Sequence, residues 1–317
     1  MEIFMKKIPL YIDTDMGVDD IVAICMIVAS NQYVLKGISV VNGVSSVARG
    51  INNLNRILTW LKVSCPIYVG FDQKAQGSSV QFPPLDRKRA NTLALLPNIP
   101  LPDFGNNPVV PLSLLSRRLS QESQPITYFC IGPLSNMPSI LTAAKTKIKD
   151  IYIMGGTINA RGIVPPKYKT EYNIRLDPKA ANAVFRSNIP ITLIPLDATQ
   201  YVPTKITDVQ GKEKTRLAQF YKALRATNPK SPTGNIIKSV LLNNQRDFSY
   251  FYDPLAAAVM IQPALIKQAS RTTVQVSTNP KTCGKLVNNP MQESRIQAIT
   301  KVDADLFFKL MIQLVQQ

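Results

Sequence analysis

Asp13-Thr14-Asp15-Met16-Gly17-Val18-Asp19-Asp20 sets four carboxylates within eight residues. Acids this dense repel one another unless protons or a cation compensate them. Hard oxygen ligands suit Ca²⁺ or Mg²⁺. Asp19 and Asp20 could instead favour a helix N-terminus through its dipole, with Asp15 in the turn. That explains one or two acids and leaves the others unexplained, so the stretch is read as a metal site.

Three further segments carry usable chemistry. Cys130-Ile131-Gly132-Pro133-Leu134-Ser135-Asn136 holds a Gly-Pro turn whose exposed carbonyls could ligate a cation. Taken alone, it reads more simply as a strand-to-helix turn capped by Ser135. Met154-Gly155-Gly156-Thr157 allows close backbone approach, and Glu171-Tyr172-Asn173-Ile174 follows it. That second piece reads as extended, so Glu171 and Asn173 face one side and offer a carboxylate and an amide to hydroxyl groups. Asp177-Pro178 reads as a helix start. Tyr252-Asp253-Pro254-Leu255-Ala256 places an acid before a proline at a helix's first turn, where capping alone could explain it. Its functional reading is a fifth carboxylate at the metal site.

Composition removes several alternatives. The chain has 317 residues, 45% apolar, four cysteines and no histidine. Cys25, Cys65, Cys130 and Cys283 are widely spaced, so a Cys/His zinc site is excluded and reduced structural thiols are the default. Without imidazole there is no Ser-His or Cys-His nucleophile. The net charge of +17 attracts anions. Its cations are scattered beyond short clusters at Arg87-Lys88-Arg89 and Lys145-Lys147-Lys149, and no aromatic interleaving suggests a base-stacking platform. A nucleic-acid partner is therefore not expected. The apolar run after Lys6-Lys7 ends at Asp13, short of a signal-peptide core, and no run approaches a membrane span. The chain reads as cytoplasmic in form, with no membrane partner. A homo-oligomer, dimer or tetramer, remains open.

These residues must be positioned by the elements around them. Ile8–Ile12 before the Asp stretch and Ile21–Ile24 after it predict a buried strand, a Gly-containing turn and a helix from about 19 to 29. Strands follow near 34–41, 67–69, 126–131, 151–154 and 191–195. Helices are expected near 48–61, 112–119, 136–144 and 179–186. The segment 71–108 is rich in proline and reads as a long loop, a lid or a site-lining wall. The stretch from Met154 to Leu176 reads as irregular. Residues 201–251 read as a polar helical cap. Two short strands near 272–276 and 294–298 suggest an edge. A closing amphipathic helix presents Leu306, Phe307, Leu310, Met311 and Leu314 on one face. The expected fold is α/β: a mostly parallel, Rossmann-like open sheet with helices on both faces and a helical cap region, in one domain over 1–317. Ligands of such sheets bind at the strands' C-terminal ends, where the acids lie.

Taken in order, these segments resemble the inosine–uridine preferring nucleoside hydrolase family over about residues 8–260. Asp13 to Asp20 looks like its DxDxGxDD signature, Glu171-Tyr172-Asn173-Ile174 its E-F-N-I segment, and Asp253-Pro254-Leu255-Ala256 its D-P-L-A segment. The resemblance implies a small-molecule nucleoside substrate, hydrolysed to ribose and free base. It implies Ca²⁺ held by Asp15, Asp20, the Ile131 carbonyl and Asp253. Asp15 would be the general base toward a metal-bound water, Asp19 would bond a ribose hydroxyl, and Asp13 would support that shell. Glu171, Asn173, Asn42 and Met154 would contact substrate. Such a site would favour an oxocarbenium-like transition state.

The pattern departs from the family at three places. The family's His beside the last Asp is Tyr252, a weaker acid that can still donate a hydrogen bond. The family's Asn after strand two aligns with Val44, with Asn42 close by. Another sugar-binding Asn aligns with Ile163. These losses support a competing reading, a catalytically weak or inactive nucleoside-binding protein; the retained carboxylates oppose it. A phosphatase using Asp13 and Asp15 would need a later acidic pair, which is absent. Arg161, Lys167 and Lys169 could attract a phosphorylated nucleoside, though a solvated basic loop is the simpler reading. Trp60, Phe71, Phe82 and Tyr250 are assigned by default to core packing.

Overall fold

The computed structural model describes residues 7–72, 80–165, 167, 169–206, 215–244, 249–289 and 296–317. Its strands are β1 (Ile8–Thr14), β2 (Tyr33–Val40), β3 (Ile67–Val69), β4 (Val109–Pro111), β5 (Ile126–Cys130), β6 (Ile148–Met154), β7 (Ile191–Ile194), β8 (Ile266–Thr272), β9 (Val274–Val276), β10 (Leu286–Asn288) and β11 (Ile296–Val302). Nine form one sheet in the order β4-β3-β2-β1-β5-β6-β7-β11-β8. Every neighbouring pair is parallel except β11 with β8.

The sheet is parallel because its strands are buried on both faces, which a helical crossover after each strand requires. Leu10, Ile12, Ile38, Val40 and Phe129 face one apolar layer with the helices Val18–Ser30, Pro232–Asn243, Tyr252–Ile261 and Ala304–Gln316. Tyr11, Tyr128, Cys130, Ile151 and Ile153 face the other, beneath Ser113–Ser120, Met137–Ala144 and Pro178–Phe185. Period-2 alternation explains this split along β1: Leu10 and Ile12 point one way, Tyr11 the other. The closing helix is capped by Asp303, which accepts from the Leu306 N–H at 3.0 Å, and it buries Phe307, Leu310, Met311 and Leu314 as expected.

Two expectations need correction. Within 71–108, a helix spans Pro84–Thr92, and directly after that segment a short strand, β4, forms the sheet edge. Pro84 stands in the helix's first turn, where its fixed φ and missing N–H are tolerated. Only Ala90 of that helix is buried, so the sequence has no apolar stripe to reveal it. The last strand is not an edge, because β11 lies between β7 and β8, while β9 pairs with β10 in a separate hairpin. Residues 294 and 295 of the expected strand lie outside the described residues. The cap region holds the helices Thr215–Ala226 and Pro232–Asn243; residues 207–214 and 245–248 also lie outside the described set. Among the described residues, no helix is long and apolar enough to cross a membrane.

Candidate active site

The strand register assembles the acidic site. Asp13 on β1 lies opposite Ser39 on β2 and Cys130 on β5. The Ile131 N–H donates to the Asp13 carbonyl at 2.8 Å, and the Val41 N–H to that of Thr14 at 2.9 Å, so three strand ends finish together. The chain then turns through Met16, whose φ of 53° is left-handed although it is not glycine. Such a backbone is held against its preference by its surroundings, which happens most often at functional sites. Here the Met16 N–H donates to the Thr14 hydroxyl at 3.0 Å, and the Met16 side chain is fully buried.

The helix Val18–Ser30 starts at this turn with Asp19 and Asp20 in its first turn. The helix Tyr252–Ile261 packs against it and brings Asp253 in its own first turn. Oxygen atoms of Asp19, Asp20 and Asp253 all lie within 4.8 Å of one another. The carboxyls of Asp15 and Asp253 lie near enough to that of Asp20 to act on it. Contacts between carboxyls need a shared proton or a cation. Two helix N-termini add positive dipole ends, which partly offset the charge.

Burial raises the pKa of every acid in the group. Asp15 and Asp253 are pushed well above the usual carboxylate range by burial and then by neighbouring acids. Burial also raises Asp20, although the Thr14 hydroxyl and the Gly17 N–H, at 2.9 Å, donate to its oxygens. Asp13 and Asp19 are pushed up to about 7, chiefly by burial and with Asp20 contributing to both. Asp19 is only partly buried and faces the cavity. A set of buried, hard oxygen ligands whose charges raise one another's pKa fits a divalent cation, which would relieve both burial and repulsion.

Asp15 is held from β1 and from the turn after β2. Its Oδ2 accepts from the Val44 N–H at 2.7 Å, and its carbonyl accepts from the Ser45 hydroxyl at 2.7 Å. Asp13 is fully buried: its Oδ1 accepts from Ser39 Oγ at 2.6 Å and from Asn136 Nδ2 at 2.7 Å, as befits support beneath the site.

Above the acids is a cavity of about 610 Å³. Asp15, Asp19, Asp20 and Asp253 line its floor with Ile131, Met154, Glu171, Asn173 and Tyr252. Its walls include Phe82, with Asp86 and Arg89 from the Pro84–Thr92 helix, Arg161 and Ile163, and Tyr172 and Tyr250. Phe82 stacks on Tyr172 with ring centroids 4.3 Å apart, and Tyr250 meets Tyr252 edge-on at 6.0 Å. Phe82 and Tyr250 are therefore cavity residues rather than core. Lys167 and Lys169 are exposed and outside the lining, whereas Arg161 reaches it.

Glu171 and Asn173 both reach the cavity, but not from an extended segment. Glu171 caps the short helix Tyr172–Leu176, accepting from the Asn173 N–H at 2.7 Å and the Ile174 N–H at 3.2 Å. It also accepts from the Gly156 N–H at 2.8 Å. Gly156 has a φ of +78°, which glycine adopts without strain. Asn173 Nδ2 donates to the Met154 carbonyl at 3.2 Å and contacts that of Ile131 at 3.5 Å, so one amide ties the ends of β5 and β6 together. Ser135 does not cap the following helix; it donates to Asp177 Oδ2 at 2.7 Å. Asp177 caps the next helix as expected, accepting from the Ala180 N–H. Asn42 is outside the cavity lining: its Nδ2 donates to the Asp72 carbonyl at 2.6 Å.

The model of the family described as inosine-uridine preferring nucleoside hydrolase matches residues 10–309. The chain belongs to that family. The pyrimidine-specific ribonucleoside hydrolase RihA of Photobacterium profundum is 30% identical over 210 residues, which are 65% of this chain and 66% of that one. RihA of Shewanella oneidensis is 29% identical over 205 residues, 64% and 63% of the two chains. The chain's match spans a little under two thirds of these relatives. Among solved structures, the inosine-uridine preferring nucleoside hydrolase of Bacillus anthracis superposes with a TM-score of 0.80 at 22% identity, covering 98% of this chain and 99% of that one. The purine-preferring ribonucleoside hydrolase of Gardnerella vaginalis gives 0.75 at 23%, covering 97% and 98%. These nucleoside hydrolases share its fold, a mostly parallel sheet with helices.

In this chain Tyr252, Val44 and Ile163, the three departures from the family pattern, all line the cavity. The sequence did not point to Asn136, Ser39, Thr14 or Asp197 as site-supporting residues. Asp197 accepts from the N–H groups of Ile158, Asn159 and Ala160 at 2.9, 2.8 and 3.1 Å, pinning the loop that leads to Arg161. Its place directly after an apolar strand, Ile191–Ile194, was the available signal.

Proposed function

We propose that this chain hydrolyses the N-glycosidic bond of a ribonucleoside, releasing ribose and the free base. The observation that carries this reading is the meeting of Asp15, Asp19, Asp20 and Asp253 on the floor of a cavity walled by aromatic rings. The family and its named relatives are ribonucleoside hydrolases, which supports the same reading.

The donor set fits Ca²⁺, held by Asp15, Asp20, Asp253 and the Ile131 carbonyl, with Asp19 close enough to share in the cluster. When bound, the ion neutralises the acids and lowers the pKa of a coordinated water. Asp15 accepts the proton of the attacking water, since its carboxylate is oriented by the Val44 N–H and burial raises its basicity above that of an ordinary carboxylate. Asp19, partly exposed beside it, accepts a hydrogen bond from a ribose hydroxyl. Asn173 orients the floor and offers its remaining carbonyl oxygen. Glu171 already accepts three backbone bonds, so it shapes the sugar pocket first and contacts a hydroxyl only through its remaining lone pairs. Several carboxylates around the ring favour positive charge developing on the sugar. Phe82, Tyr172 and Tyr250 offer ring faces to a base.

Tyr252 occupies the leaving-group side. Its hydroxyl is raised above the ordinary phenol value by burial and by Asp19, so it remains protonated and donates a hydrogen bond. This weak acid is the observation that favours a second reading, a nucleoside-binding protein of low turnover. Ribose release from a panel of purine and pyrimidine nucleosides, with Ca²⁺ and again with a chelator, separates the two. Release that the chelator abolishes supports hydrolysis. Binding of nucleoside with no release supports the second reading.

A further inference from the structure

The helix Pro84–Thr92 does more than wall the cavity. Arg87 reaches from it to donate through Nη1 to the Gly43 carbonyl, with Asn42 Oδ1 also in reach at 3.4 Å. Gly43 begins the turn whose next N–H, that of Val44, donates to Asp15 Oδ2 at 2.7 Å. The Ser45 hydroxyl and N–H then bond the Asp15 carbonyl at 2.7 and 3.2 Å. The same helix touches this turn once more, where Asn91 Oδ1 accepts from the Ser46 N–H at 3.2 Å. Asn42, fixed between Arg87 and the Asp72 carbonyl, closes the network.

Space confirms how tightly the turn is pressed on the acid. A Cβ on Gly43 would lie 2.0 Å from Asp15 Oδ2. A small shift of the turn therefore moves the carboxylate or breaks its bond to Val44. A guanidinium suits this grip because it is always charged and its donors are fixed in a plane.

We infer that Arg87 is a positioning residue: by gripping the Gly43 carbonyl it sets the Asp15 carboxylate through the Val44 N–H, and so couples the Pro84–Thr92 cavity wall to the catalytic floor. The catalytic part of this inference rests on the proposed hydrolase reading; the structural coupling does not.

The test compares Arg87→Met, Arg87→Lys and, as a control on the exposed face of the same helix, Lys88→Ala. Three quantities are read: Val44 amide hydrogen exchange by NMR, Ca²⁺ affinity by calorimetry, and kcat and KM for ribose release. Arg87→Met is expected to speed Val44 exchange and to weaken Ca²⁺ binding and kcat by about 10–100-fold, the range for residues that orient first-shell ligands. KM should change less than kcat. Arg87→Lys should recover part of each loss, and Lys88→Ala should match the wild type. Wild-type Val44 protection in Arg87→Met would overturn the coupling. So would equal losses in the Lys and Met variants that track only a lowered melting temperature. If the wild type releases no ribose, the hydrolase reading fails, while the exchange measurement still decides the role of Arg87.

Discussion

The Val44 N–H and Asp15 Oδ2 are 2.7 Å apart, joining the turn after β2 to an acid from the end of β1. Gly43 makes the approach possible, since any side chain there would collide with the same oxygen. Gly43→Ala should therefore lower Ca²⁺ affinity by about 10–100-fold and reduce ribose release with it. Calorimetric titration with Ca²⁺ checks this, and an unchanged affinity would contradict the assigned contact.

Asn136 links Asp13 to the loop after β3. Its Nδ2 donates to Asp13 Oδ1 at 2.7 Å and its Oδ1 accepts from the Phe71 N–H at 2.8 Å. Asp13 Oδ2 has no hydrogen-bond partner among the described residues, so this acid has little to spare. Asn136→Ala should cost about 1–3 kcal/mol, the penalty for leaving buried polar groups unpaired. Urea unfolding in the presence of chelator measures it; a loss under about 0.5 kcal/mol would show that the bond contributes little.

Stability of the chelated protein should fall as pH rises. Asp13 and Asp19 stand at about 7 against an ordinary 3.8, and Asp15, Asp20 and Asp253 are raised as well. A raised acid binds its proton more tightly when folded. Its contribution is complete below pH about 4 and is lost as pH climbs through about 7. Ca²⁺ reverses the sign, because its ligands must be deprotonated, so binding tightens over the same window. Melting curves across this range, with and without Ca²⁺, should diverge as pH increases. Parallel curves would refute the linkage.

Tyr252 should act as a neutral hydrogen-bond donor. Removing the hydroxyl in Tyr252→Phe should lower kcat by about 10-fold, below the usual contribution of a matched general acid, with little change in KM. The wild-type rate should show no alkaline limb from this phenol, which burial holds above its ordinary value. A variant as fast as the wild type would remove Tyr252 from the chemistry.

Much of the acidic floor is legible in the amino-acid sequence. The four acids of 13–20 stand out because one strand end and one helix start carry them all, and Asp253 joins them through the order of segments. What the sequence conceals has physical causes. The helix Pro84–Thr92 buries only Ala90, so it lacks the periodic stripe that reveals helices, and its prolines imitate a loop. Glu171 looks like part of an extended segment because a carboxylate that caps its own backbone leaves no mark on hydrophobic periodicity. Ser39 meets Asp13 only through parallel strand register and Asn136 only through the turn after β5, over separations of 26 and 123 residues. Arg87, in a cluster that reads as plain surface charge, turns back onto the Gly43 carbonyl.

The most direct test of the central claim is ribose release by the wild type and Asp15→Ala, measured with saturating Ca²⁺ and the best nucleoside of the panel. The account predicts turnover in the wild type and a loss of about 10²–10⁴-fold in the variant, the span of a general base, with the fold preserved by circular dichroism. Ribose release by Asp15→Ala at the wild-type rate would contradict it.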